Sequence, residues 1–265
     1  MSASARLPRA GAFAARWMDA ATPLALLLAW WAASRAQLVD PFLLPSPGDV
    51  AQRFVAALAD GSLSGAIGGT LMRTGAAFGL ATAICVPLGL AIARFRPLRW
   101  FFDPLISIGF PMPKVAFIPI FILWLGVFDA SKITISAFSC AFTILSATIA
   151  AASKVERFLV WSALSLGASR AALLAQVVLP SAAPRILTGL QIALPISLIT
   201  MIAAEMIMGG EGLGGFMMRA GRFADTPSVY AGILASGALG FLFVRSLELL
   251  RRRLLAWHPE HQKTP

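Results

Sequence analysis

The sequence predicts an all-α membrane protein of six transmembrane helices, and three observations carry that fold class. First, only 13% of the 265 residues are charged and 58% are apolar, with a mean hydropathy of +0.79. Soluble domains are about 25% charged, so this chain has too little polar side chain to cover a globule. Second, six apolar runs span roughly 20–36, 68–93, 104–126, 131–152, 185–208 and 228–249. Crossing a hydrocarbon core about 30 Å thick takes about 20 such residues per helix. Third, the runs are apolar on all sides, whereas barrel strands of about 10 residues alternate in polarity.

The formal net charge is +10, and its distribution predicts orientation. Lys and Arg gather in cytoplasmic segments near helix ends. Arg6, Arg9 and Arg16 precede the first run, and Arg94, Arg96 and Arg99 join the second to the third. Lys154, Arg157, Arg170 and Arg185 separate the fourth from the fifth, and Arg251, Arg252, Arg253 and Lys263 follow the sixth. The opposite side holds Arg35, Arg53, Lys132, Arg219 and Arg222. Both termini are therefore expected in the cytoplasm. A nucleic-acid-binding patch would interleave aromatics with bases on a soluble domain, and no such patch is present.

Residues 1–19 are expected as a cytoplasmic tail, 20–64 as the first helix and a periplasmic loop, 65–252 as the core, and 253–265 as a second cytoplasmic tail. The first run resembles a cleavable signal peptide. Arg35 inside the would-be cleavage site and the interfacial pair Trp30 and Trp31 favour an uncleaved helix. Leu44-Pro45-Ser46-Pro47-Gly48-Asp49 reads as a turn that starts a helix, because Ser and Asp cap and proline fixes φ. Val50–Leu58 then reads either as a surface amphipathic helix or as a plain connection.

The second run carries Gly75 and Gly79, four apart, and Gly65, Gly69 and Gly89 also line it; small residues so spaced let helices approach closely in lipid, or simply reflect the small-residue usage of membrane helices, and Pro87 is expected to kink the run. The third has Pro111, Pro113 and Pro119 within nine residues, which breaks regular helix. Broken backbone at membrane depth needs protein or a water-filled cavity beside it, so Pro111, Pro113, Phe117 and Pro119 are candidate pathway residues. Lys114 beside them is either a pathway charge or an interfacial lysine reaching for water. The fifth run adds Thr200, Met201 and Glu205 as pathway candidates. Glu205 stands nearly alone as an intramembrane charge, and it is either functional or a cap on the next loop.

That loop, Gly209–Gly215, contains a formal G-x-G-x-x-G, but it follows a membrane helix rather than a strand, so glycine-rich turning is the better reading. No P-loop motif occurs, and no nucleophile–base–acid set exists, because the two histidines, His258 and His261, lie in the tail. They are too few for a metal site. Cys85 and Cys140 fall inside apolar runs and read as small core residues.

The 161–180 segment, Trp161-Ser-Ala-Leu-Ser-Leu-Gly167 to Leu179-Pro180, is a polar interruption between two membrane spans. An apolar stripe with a basic edge at Arg170 suits a helix-in-groove contact, and the alternative is a helix lying on lipid. Pro180 and Pro184 set the angle into the fifth run. The segment resembles the cytoplasmic signature of permease subunits of bacterial ABC importers: E-A-A, three residues, Gly, nine residues, Ile, one residue, Leu-Pro. Ser162 and Ala163 stand at the alanine places, Gly167 at the glycine, Val177 at the isoleucine, and Leu179 and Pro180 at the end. Trp161 replaces the glutamate. Leu44-Pro45-Ser46-Pro47, Ile118-Pro119, Leu123-Trp124-Leu125-Gly126, Ala204-Glu205, Gly212-Leu213-Gly214 and Trp257-His258-Pro259 are similar to the nitrate/sulfonate/taurine branch.

The resemblance implies a type I importer permease in the bacterial inner membrane, working as a homodimer. Two ABC ATPase subunits, which bind the ATP and Mg, would grip Trp161, Ser162, Ala163, Gly167, Ala168, Ser169, Arg170, Val177, Leu179 and Pro180. A periplasmic binding protein would deliver a sulfonate, taurine, nitrate, or a pyrimidine or vitamin precursor. The permease itself would hold no cofactor and do no bond chemistry. The rival reading is an ion-coupled secondary transporter, which would show repeats and several intramembrane charges.

Overall fold

The structure, a computed structural model, describes residues 10–256, with side chains from Ala21 onward. Arg6, Arg9, Lys263, the histidines and Trp257-His258-Pro259 lie outside the described residues, as does the side chain of Arg16. The described residues form helices and no strand. In order these are α1 (Ala10–Arg35), α2 (Pro47–Ala59), α3 (Ser62–Arg94), α4 (Arg96–Gly109), a 3₁₀ turn (Lys114–Phe117), α5 (Ile118–Leu125), α6 (Asp129–Ser153), α7 (Arg157–Ser165), α8 (Arg170–Ala172), a π-helical stretch (Leu173–Val178), α9 (Leu179–Met208), α10 (Leu213–Arg222) and α11 (Thr226–Leu254).

Four helical stretches are long and apolar enough to cross a membrane: Ser62–Arg94, Asp129–Ser153, Arg170–Met208 and Thr226–Leu254. The expected third span is not one rod. α4 and the Lys114–Leu125 segment meet at 98°, because two prolines at 111 and 113 interrupt the hydrogen-bond ladder there. α1 is 26 residues long, about 39 Å at 1.5 Å per residue, which suffices to span. It begins at Ala10, inside the segment expected as tail, and α11 runs on to Leu254.

The core is a three-helix stack in which α6 lies between α3 and α9. Ala77, Ala81 and Cys85 of α3, Cys140, Ile144 and Leu145 of α6, and Leu190, Ala193 and Leu194 of α9 form one buried cluster. Small residues set the distances. A Cβ at Gly89 would stand 2.8 Å from the Thr148 Cβ, and one at Gly189 would stand 2.2 Å from the Ala147 Cβ. Those glycines, rather than Gly75 and Gly79, make the close approach within the chain; nothing lies within 4 Å of a Cβ at the latter two. α3 passes through Pro87 as one helix.

α2 is docked rather than merely lying on a surface. Val50 and Ala57 are buried, and Arg53 Nε donates to Ser228 Oγ (2.7 Å) and Asp225 Oδ2 (3.3 Å) at the start of α11. Ser46 caps α2 by accepting from Asp49 N, with Pro47 at its first turn. The preceding turn is held on both sides: Trp30 Nε1 donates to Pro45 O (3.0 Å), Tyr230 Oη donates to Leu43 O (3.1 Å), and the two rings stack at 5.9 Å.

Candidate functional site

Two constructions stand at opposite ends of the α3/α6/α9 stack. The first surrounds Glu205, near the end of α9. Its carboxylate is fully buried and accepts from Thr70 Oγ1 (2.8 and 3.0 Å), Gly214 N (3.1 Å) and Arg73 Nη1 (3.3 Å). Arg73 reaches further, with Nε on Asp129 Oδ1 (2.7 Å) and Nη1 on Glu211 O (3.0 Å). Thr70 Oγ1 also accepts from Leu213 N (2.9 Å), and Lys132 Nζ donates to Gly209 O (2.8 Å). Charges from α3, α6 and α9 therefore bind down the loop that begins α10.

The glycines of that loop are fixed by this arrangement. Gly212 has φ +115, and a Cβ there would lie 2.2 Å from Glu205 Oε1. A Cβ on Gly214 would lie 2.3 Å from Ile202 O. The formal dinucleotide motif is thus a turn wrapped on a carboxylate. Glu205 is not alone: Arg73 is its partner, and the sequence reading missed it. An arginine inside an apolar run is itself costly and calls for an acid, which was the available signal.

The other pathway candidates divide into two groups. Thr200 and Met201 are buried between α6 and α9, where Thr200 Oγ1 donates toward Ser139 Oγ (2.8 Å). Pro111, Pro113 and Pro119 are exposed on the bent segment, and Phe117 is half-buried with its ring 5.6 Å from that of Phe138.

The second construction is the 153–184 segment. α7 ends in a Schellman motif: Ala168 N donates to Ala163 O and Gly167 N to Leu164 O, both at 3.0 Å. Gly167 has φ +82, and a Cβ there would meet nothing within 4 Å, so the backbone angle, not space, requires glycine there. Ser169 then caps the next turn by accepting from Ala172 N (3.2 Å). Leu179 N reaches back five residues to Leu174 O. Pro180 has no N–H and its ring crowds the carbonyl four residues back, which favours the widened π turn.

This turn-linked pair leaves large apolar side chains uncovered: Phe158 is 73% exposed, Trp161 62%, Leu164 46% and Leu166 88%. Behind α7, Val160, Leu173 and Val178 anchor it to the core cluster. Around it runs a basic rim. One cleft of about 340 Å³ is lined by Arg94, Val160, Leu164, Arg170 and Leu173, and a neighbouring one by Arg94, Arg99, Arg157 and Trp161. Arg94 Nε and Nη2 are buried without a hydrogen-bond partner among the described residues. Ser162 and Val177 are half-buried, and Leu179 is exposed at the base of α9.

A stack of long apolar helices with an apolar-faced helical projection at one end defines a polytopic membrane protein. Residues 85–256 match the family described as binding-protein-dependent transport system inner membrane component, and the chain belongs to that family. It is an ABC importer permease, a multi-pass protein of the inner membrane. It is 34% identical over 242 residues to the taurine transport system permease protein TauC of Escherichia coli (strain K12), covering 89% of this chain and 88% of that one. It is 30% identical over 235 residues to the formylaminopyrimidine transport permease protein ThiX of Halalkalibacterium halodurans, covering 88% and 92%. Its fold resembles a chain of the inward-facing MetNI methionine ABC transporter, with a TM-score of 0.66 and 17% identity, over 73% of this chain and 96% of that one.

Proposed function

We propose that this permease works as a homodimer with its termini in the cytoplasm, and that the 161–180 segment seats in a groove on each of two ABC ATPase subunits. The observation that carries the reading is the exposed apolar face of α7, Phe158, Trp161, Leu164 and Leu166, on a helix anchored from behind by Val160. A helix only lying on lipid needs no Schellman turn aimed into a second capped turn. ATP binding would draw the two docked segments together, and the continuous Arg170–Met208 stretch would carry that motion into the core. Trp161 replaces an acid there, so docking relies on apolar burial and on the arginine rim.

The cargo is a small solute of the sulfonate class, with taurine as the representative; this rests on the likeness to the taurine permease. Glu205 is fully occupied by Thr70, Arg73 and Gly214, which leaves it poorly suited to carry a coupling ion. The test is uptake into proteoliposomes holding the permease, its ATPase and its binding protein. Taurine uptake that requires ATP on the ATPase side supports the reading. Uptake driven by an ion gradient without ATP overturns it in favour of the secondary transporter.

A further inference from the structure

We propose that the bent segment around Lys114 is a water-accessible anion site at mid-membrane, closed on its open side by the second copy of this chain. The inference rests on the homodimeric importer reading above.

Depth comes first. α4 runs 14 residues, about 21 Å, from Arg96 before it stops at Gly109. Gly109 sits on the ring of Phe142, where a Cβ would come within 2.1 Å of a ring carbon. Phe142 lies at the middle of the 25-residue α6. Lys114 Nζ is 5.4 Å from the centre of that same ring and 5.7 Å from the centre of the Phe110 ring. The break and its lysine are therefore at the level of the bilayer centre.

Two costs then have to be met at that level. Phe110 is 52% exposed and Met112 37%, and Pro111 and Pro113 are exposed as well. The Met112 N–H finds no acceptor among the described residues. Bare, non-helical backbone does not face lipid; it is buried in protein or borders water. The cation adds the second cost. Lys114 Nζ donates to Phe110 O, and no carboxylate pairs with it among the described residues. An unpaired intramembrane cation faces a cavity or a counter-charge. A second copy across a two-fold axis would shield both broken segments and enclose two lysines around shared water. The aromatic faces beneath the ammonium hold it in place without neutralising it, which leaves it able to meet a sulfonate or carboxylate.

The experiment uses the full transporter in lipid vesicles with Met112→Cys. Cys85 and Cys140 are buried, so the parent protein is the unlabelled control. Modification rates are measured with sulfonatoethyl methanethiosulfonate, an anion, and trimethylammonioethyl methanethiosulfonate, a cation, each relative to its rate with free cysteine. The anion is expected to be favoured about tenfold, with the preference lost in Lys114→Met and kept in Lys114→Arg. No modification by either reagent, with or without ATP, overturns the site. So does a preference unchanged by Lys114→Met. ATP hydrolysis stimulated by the binding protein is read in the same vesicles: if it persists while labelling fails, only the site falls, and if it is absent, the importer reading falls with it.

Discussion

Arg73 Nη1 lies 3.3 Å from Glu205 Oε1 across 132 residues of sequence, and the same guanidinium holds Asp129 through Nε at 2.7 Å. One arginine therefore joins three membrane helices and the loop that starts α10. Removing one member of a buried ion pair leaves the other uncompensated, at a cost of about 3–5 kcal/mol. Arg73→Ala and Glu205→Ala are each expected to lose that much, and the double variant is expected to lose much less than the sum. Thermal unfolding of the four proteins in detergent checks this, and simple additivity would count against the pair.

Gly167 is held by its backbone angle rather than by crowding. Asn visits φ > 0 more readily than β-branched residues do. Gly167→Asn is expected to keep most ATP-driven uptake, Gly167→Asp to be weaker, and Gly167→Val to lose it by more than about tenfold while the protein still inserts, since strain at such a position costs about 1–3 kcal/mol. Equal loss in all three would point to a need for open space at Gly167 instead.

Arg94 carries two buried guanidinium nitrogens that find no hydrogen-bond partner among the described residues, beside Arg99, Arg157 and Arg170. A carboxylate from the ATPase would satisfy them. Arg94→Gln is expected to lower ATPase retention and to flatten its dependence on salt, because screening acts on the charge that has been removed. Retention measured between low and high ionic strength decides the point.

Asp225 ties α2 to α11. Burial pushes its carboxyl up, but the hydrogen bonds from Ser228 and the Arg53 charge outweigh that and hold it below the ordinary carboxylate range. A lowered folded value means stability that is present above the unfolded value and lost as pH falls through the folded one. Parent protein is therefore expected to loosen α2 in strong acid, whereas Asp225→Asn shows the loosened state already at neutral pH. Limited proteolysis at the Ser46–Ala59 segment across pH reports it.

Much of the helical order could be read from apolar run length alone, because lipid leaves the backbone few alternatives. The break at Pro111 and Pro113 was legible from proline chemistry. The 98° bend was not, since sequence shows where a ladder fails but not how far the chain then turns. Glu205 was visible as a charge. Its partners were not, because Thr70 and Arg73 lie about 130 residues away and only packing brings them together. Of the glycines lining the second run, Gly89 makes a close contact, against Thr148, while Gly75 and Gly79 meet nothing within this chain; spacing marks a possible groove, and the neighbouring side chain decides whether it is filled.

The central claim is that α7 and the turn behind it dock onto an ATPase. The most direct measurement is a mild-detergent pull-down of the tagged permease from its native cells, with partners identified and the particle weighed. An ATPase at one copy per permease, in a particle holding two of each, is the predicted result. Permease recovered without any ATPase, under conditions that keep comparable complexes intact, would contradict it.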